Sequence, residues 1–216
     1  MIEQEEIIIK RAVKELTQGM LVNLGIGLPT MIPSILPAEL NVTLHSENGF
    51  VGVGAPVAEG TPDHNVIDAG GRACTLQKGA ACFDSSFSFA LVRGGKLDVA
   101  ILGAFEVALN GDLANWMIPG KLTPGMGGGM ELAQKARKLI VLSRHSDKNG
   151  TPKLVETCSL PLTATQCVDL LITEKAVFEC LNHQMTLVCV HPSTAKDQVL
   201  SEFSFQVPAL EELRPW

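Results

Sequence analysis

Ile9, Ala12, Val13 and Leu16 recur at helical spacing across residues 3–18, with Lys10, Arg11 and Lys14 elsewhere on the wheel and Gly19 behind them. That pattern predicts an amphipathic helix stopped by glycine. The apolar run at 20–24 ends in Gly25-Ile26-Gly27-Leu28-Pro29 and is followed by Thr30-Met31-Ile32-Pro33-Ser34-Ile35-Leu36, which reads as strand, glycine loop and helix. Residues 41–46 read as the next strand, left by a sharp turn at Glu47-Asn48-Gly49, because Asn and Gly adopt positive φ at little cost. Residues 50–80 carry Gly and Pro without periodicity and are expected to be mostly loop and short strand. A helix is expected around 84–92, ending at Gly94-Gly95.

Residues 97–103 and 138–142 are continuous apolar runs, the signature of strands covered on both faces in a parallel sheet. Between them the glycine cluster 125–129 precedes a helix-like stretch at 130–138, and runs at 176–180 and 185–190 suit a closing pair of strands. Alternating strands and helices predict an α/β domain with a mainly parallel sheet flanked by helices. With no internal repeat or splitting linker, residues 1–216 are expected to form one domain.

Two glycine loops and one carboxylate invite chemical readings. Gly25 and Gly27 follow a strand, and Glu47 lies about 20 residues on, where a dinucleotide site places its ribose-binding acid. Thr30 occupies the third glycine position of that template and Pro29 stiffens the turn, which argues for a structural turn instead. The 125–129 cluster either presents main-chain N–H groups to an anion or developing oxyanion, or is simply a flexible connection. Glu47, at a strand tip beside the first glycine loop, sits where open α/β sheets bind ligands, although turn glutamates are commonly inert and solvated.

Composition narrows the classes. A net charge of −6 and a pI near 5.4 disfavour nucleic acid, whose nonspecific binding needs clustered Lys and Arg. The start is acidic where export signals are basic and transit peptides Arg-rich, and no apolar stretch runs the roughly 20 residues of a membrane span. A cytoplasmic protein with no membrane partner is therefore expected. The cysteines at 74, 82, 158, 167, 180 and 189 and the histidines at 45, 64, 145, 183 and 191 show no ligand spacing, so no metal is assigned.

Six segments together resemble the second subunit of the short-chain 3-oxoacid and acetate or butyrate–acetoacetate CoA-transferases, a class with a glutamate nucleophile. They are Asn23-Leu-Gly-Ile-Gly-Leu-Pro-Thr30, Ser46-Glu-Asn-Gly49, Phe89-Ala-Leu-Val-Arg-Gly-Gly95, Leu113-Ala-Asn-Trp-Met-Ile-Pro-Gly120, Gly125-Met-Gly-Gly128 and Cys158-Ser-Leu-Pro-Leu-Thr163. The resemblance implies the fold of that family, within the ribose-5-phosphate isomerase-like superfamily. It makes Glu47 the catalytic residue that carries CoA, and maps an oxyanion donor onto Gly128 with Gly127 as neighbour. Asn48 and Gly49 would shape the nucleophile's turn, Gly25 and Gly27 would admit the thioester end of CoA, and all four are expected to bind CoA or substrate.

The implied chemistry needs no cofactor, coenzyme A being itself a substrate alongside short-chain carboxylic acids such as acetoacetate, acetate and butyrate. It also implies a partner, the family's alpha subunit, in a hetero-oligomer expected to be a heterotetramer. The alternatives are a 3-oxoadipate CoA-transferase subunit, which the Trp116-Met-Ile-Pro-Gly-Lys121 segment disfavours, and a noncatalytic ligand-binding domain on the same scaffold. A sugar-phosphate isomerase would need cations at its phosphate, and the glycine loops carry none.

Overall fold

The computed structural model describes residues 3–57, 63, 65–121 and 125–216; the extreme N-terminus and His64 thus lie outside the described residues. In chain order the elements are α1 (Glu3–Val13), β1 (Leu21–Leu24), β2 (Thr43–Ser46), β3 (Phe50–Pro56), β4 (Cys74–Cys82), α2 (Ser85–Arg93), β5 (Val99–Gly103) and β6 (Glu106–Ala108). They continue with β7 (Leu113–Ala114), α3 (Gly129–Lys135), β8 (Lys138–Leu142), β9 (Leu154–Val155), β10 (Leu170–Ile172), β11 (Ala176–Leu181), β12 (Gln184–Val190) and α4 (Lys196–Ser201).

Nine strands form one sheet in the order β12-β11-β10-β8-β5-β1-β2-β3-β4. Its middle five, from β10 to β2, are parallel, and each edge is finished by antiparallel pairings. A smaller sheet, β7-β6-β9, lies beside it. The continuous apolar runs do become interior strands: Leu139, Ile140, Val141 and Leu142 are all at most 1% exposed. This is the mixed α/β architecture, a large sheet flanked by helices, that the periodicity predicts.

Alternation along the parallel strands separates two cores. Val22, Leu44, Ile101 and Ile140 meet Ile8, Ile9 and Ala12 of α1 on one face. Ala100, Leu102, Leu139 and Val141 meet Val92 of α2 and Leu132 and Ala133 of α3 on the other. Glu3, Glu5 and Glu6 start α1 and Lys10 and Arg11 end it, charges that complement the helix dipole.

Four local expectations need correction. The first helix is α-helical only to Val13; beyond it three i to i−3 bonds carry the turn to Leu16. The element after the first glycine loop is a 3-10 helix, Leu28–Ser34, because Pro33 has no N–H and its ring would clash with the carbonyl four residues back in an α-helix. Within 50–80, β3 and β4 are longer than the short strands expected, at seven and nine residues. Likewise α3 ends at Lys135, since Lys138 already pairs with Val99. Among the described residues no helix is long and apolar enough to cross a membrane.

Candidate active site

β1, β2 and β5 are neighbours, and their C-terminal ends bring Gly25, Glu47 and Gly103 to one edge of the sheet. In open α/β sheets this is the edge where ligands bind. Glu47 is the first residue of a three-residue hairpin loop, with Ser46 and Phe50 paired across it and Gly49 N–H donating to Ser46 O at 3.0 Å. Gly49 has φ +138°, and a Cβ there would lie 2.3 Å from Phe83 O. Only glycine fits this corner. Asn48 does not face the carboxylate: its Nδ2 donates to Ile67 O at 2.8 Å, while Ser46 Oγ accepts from Ala69 N at 2.9 Å. The loop is thereby fastened at both sides.

The Glu47 carboxylate is tethered from the adjacent strand. Asn23 pairs with His45 across β1 and β2, and Asn23 Nδ2 donates to Glu47 Oε2 at 2.9 Å. Asn23 has no exposed surface, so water does not compete for its amide. Behind it, Asn23 Nδ2 lies 3.1 Å from His45 Nδ1, and His45 Nε2 lies 2.8 Å from Ser88 Oγ on α2. Burial pushes the His45 pKa down from 6.5 to about 4, leaving the imidazole neutral near pH 7.

Gly128 faces the same carboxylate. A Cβ on it would stand 3.5 Å from Glu47 Cγ, and 2.8 and 2.9 Å from Cζ and Cε1 of Phe89. The main chain here therefore runs closer to the Phe89 ring than any side-chain-bearing residue could without displacing the ring, and it lies beside the Glu47 side chain. Gly128 is the N-cap of α3, and Gly129 N–H is already committed to Met126 O at 3.2 Å. Gly127 is exposed, has φ +54°, and a Cβ on it would meet nothing within 4 Å. Of the two glycines singled out, Gly128 is the one brought against the carboxylate.

Arg93 of α2 makes a bidentate pair with Glu131 of α3, at 2.8 and 2.6 Å, and its guanidinium lies over the Phe89 ring. This joins the two helices that carry Ser88 and Gly128. Farther along the edge, Thr163 Oγ1 donates to Asn115 Oδ1 at 2.6 Å and Asn115 Nδ2 donates to Gly103 O at 3.1 Å. The Thr163 methyl is 3.8 Å from a Cβ placed on Gly129. Segments scattered through the sequence thus converge on one end of the sheet.

The first glycine loop serves two purposes. Gly25 N–H extends the ladder to Ile101 O at 2.8 Å, and a Cβ on Gly25 would sit 2.8 Å from Leu102 Cδ2, so close packing demands glycine. Gly27 has φ +90° and open space around it. Between them Ile26 is 75% exposed.

The sequence profile of the coenzyme A transferase family matches residues 6–202. The chain belongs to the coenzyme A transferase family. Within that family it is 50% identical over 204 residues to one subunit of the succinyl-CoA:3-ketoacid coenzyme A transferase of Helicobacter pylori strain 26695, covering 94% of this chain and 98% of that one. It is 46% identical over 185 residues to the beta chain of the acetate CoA-transferase of Escherichia coli K12, covering 86% and 84%. The fold matches the crystal structure of the acyl-CoA transferase YdiF apoenzyme from E. coli O157:H7 with a TM-score of 0.80 at 20% identity. That match takes in all of this chain but only 44% of YdiF.

Sequence reasoning about this CoA transferase singled out Glu47 and Gly128 but gave no role to Asn23, His45, Ser88 or Phe89. A signal did exist for one of them. An asparagine inside the apolar run Leu21-Val22-Asn23-Leu24 must find a partner when buried, and an adjacent parallel strand tipped with a glutamate supplies it.

Proposed function

We propose that this chain is the glutamate-bearing subunit of a short-chain CoA-transferase that works through a glutamyl-CoA thioester on Glu47. The observation that carries the reading is the Glu47 carboxylate held through one oxygen by Asn23, with the Gly128 main chain in contact range. A tethered carboxylate is an oriented nucleophile, and a close-approaching main chain is what an oxyanion donor requires.

In the proposed cycle Glu47 attacks the donor acyl-CoA carbonyl, the C–S bond breaks, and a mixed anhydride and CoA thiolate result. The thiolate then attacks the glutamyl carbonyl, releasing the donor acid as carboxylate and leaving CoA on Glu47 as a thioester. The acceptor carboxylate reverses both steps. The thioester energy is retained, so neither cofactor nor nucleotide is called for. Each tetrahedral intermediate places charge on an oxygen, where one fixed amide donor is worth roughly 3 to 4 kcal/mol, and Gly128 N–H is assigned that part.

The substrates proposed are acetoacetate, acetate or butyrate and their CoA esters, in keeping with the names of the relatives. Both relatives are themselves named as single subunits of larger enzymes, the E. coli one as the beta chain, which supports an alpha partner completing the site. Exposed apolar side chains stand on the segments that form the site: Ile26, Phe87, Phe105, Met130 and Leu162. They suit a covered face.

The test is intact-mass analysis after incubation with acetoacetyl-CoA, with and without the alpha partner. A CoA adduct on Glu47 in the mixture is expected, and Glu47→Gln should abolish both adduct and turnover while the fold persists. Near-wild-type transfer by that variant, with deamidation excluded, would sink the mechanism.

A further inference from the structure

The proposed nucleophile is oriented by an amide whose own orientation is not determined by its contact with Glu47 alone. Asn23 Nδ2 carries two hydrogens and faces three acceptors: Glu47 Oε2 at 2.9 Å, His45 Nδ1 at 3.1 Å and the His45 carbonyl at 3.3 Å. Its Oδ1, equally buried, has no partner among the described residues. Rotating the amide by half a turn would aim Oδ1 at the carboxylate and the His45 carbonyl and release both, and the imidazole is in place to resist that rotation.

A neutral imidazole has one donor and one acceptor nitrogen. If the proton were on Nδ1, it would confront the Asn23 N–H group. If it is on Nε2, Nδ1 accepts from Asn23 and Nε2–H points at an oxygen, Ser88 Oγ at 2.8 Å. Of the two tautomers, only the second agrees with an ionised Glu47. His45 and Ser88 are 3% and 0% exposed, so water does not offer either nitrogen a substitute partner.

Resting on the reading of Glu47 as nucleophile, we propose that His45 and Ser88 are positioning residues. Ser88 Oγ accepts from His45 Nε2–H, and with Nδ1 thereby an acceptor the Asn23 amide is held with its N–H groups toward Glu47 Oε2, leaving Oε1 as the attacking oxygen. The burial that keeps His45 neutral acts in the same sense. Neither residue touches a reacting atom, so the effect should fall on the rate of attack and spare substrate affinity.

The test uses the complex with its alpha partner and the variants His45→Leu, His45→Gln and Ser88→Ala, with wild type and Glu47→Gln as references. His45→Leu is expected to slow single-turnover formation of the glutamyl-CoA adduct by roughly 10- to 100-fold, the scale of an orientation loss, with KM for acyl-CoA little changed. Glutamine offers an acceptor and a donor on one side chain, so His45→Gln should recover most of the rate, and Ser88→Ala should fall between. Nitrogen NMR of the complex should find the His45 proton on Nε2. A wild-type rate in His45→Leu, or a proton on Nδ1, overturns the proposal. Should His45→Leu fail to fold, Ser88→Ala at the wild-type rate overturns it equally. Absence of transfer by wild type, or full activity of Glu47→Gln, would instead remove the underlying reading.

Discussion

At the residue scale, Gly128 separates strain from chemistry. Any Cβ there meets the Phe89 ring at 2.8 to 2.9 Å, so Gly128→Val must push the ring aside or move the loop from Glu47. Overpacking of this kind costs about 1–3 kcal/mol of stability. If Gly128 N–H meets charge that develops only during reaction, kcat should fall more than acyl-CoA binding weakens. Adding Phe89→Leu should relieve much of the packing strain and restore stability measured by urea unfolding, without restoring the full rate. A pure rise in KM with kcat kept would make this loop a binding element instead. Glu47 and Gly128 were legible as candidates because each sits in a short motif through which the chain resembles the CoA-transferases. The tether of Glu47 was not, because the Asn23–His45 contact depends on strand register: both face α2, as the pairing of β1 with β2 fixes, and register is a property of two segments together.

At the scale of elements, the chain announced strongly patterned pieces and hid the rest. The interior strands β5 and β8 are largely apolar runs, as burial on both faces requires, and the hairpin β11–β12 is apolar apart from Glu179, Gln184 and Thr186. The β3–β4 ribbon was hidden because β4 is mostly exposed and Gly52, Gly54 and Gly79 interrupt any alternation; Gly54 is needed because a Cβ there would lie 2.3 Å from Thr75 Oγ1. The three strands of the small sheet are two or three residues long, too short for a period to register. Helix α2 was legible in its pattern, and the structure adds its cap. Asp84 precedes it with φ −69° and ψ 159°, and its side chain accepts from Phe87 N, the geometry of an N-cap. Because α2 carries both Ser88 and Phe89, this cap supports the site as well as the helix. Asp84→Ala should cost about 1 kcal/mol in unfolding free energy, read by denaturant titration, and should lower adduct formation more than KM rises. Asp84→Asn, which keeps an acceptor oxygen, should be close to wild type in both. Equal losses in the alanine and asparagine variants would show that the cap's hydrogen bond is not what supports the helix.

At the scale of the whole molecule, five of the seven large apolar side chains exposed among the described residues, Ile26, Phe87, Phe105, Met130 and Leu162, stand on the segments at the Glu47 edge of the sheet. Ile26 is 75% exposed and Phe87 52%, although each lies beside a residue of the site and neither position is forced to be apolar by the fold. A net charge of −6 keeps the remaining surface soluble, so the apolar side chains on this edge need another explanation, and a covering partner supplies one. Ile26→Glu and Met130→Glu, at exposed positions, should change the stability of the isolated chain by no more than about 0.5 kcal/mol. A buried, unpaired carboxylate at an interface is costly, so either variant should weaken association with the alpha partner by at least roughly 10-fold, measured by sedimentation at fixed partner concentration. Transfer activity should fall in parallel and recover as partner concentration is raised, which distinguishes lost assembly from lost chemistry. Undiminished association in both variants would place the partner contact elsewhere on the molecule. Full turnover by the isolated chain would show that the active site needs no partner at all.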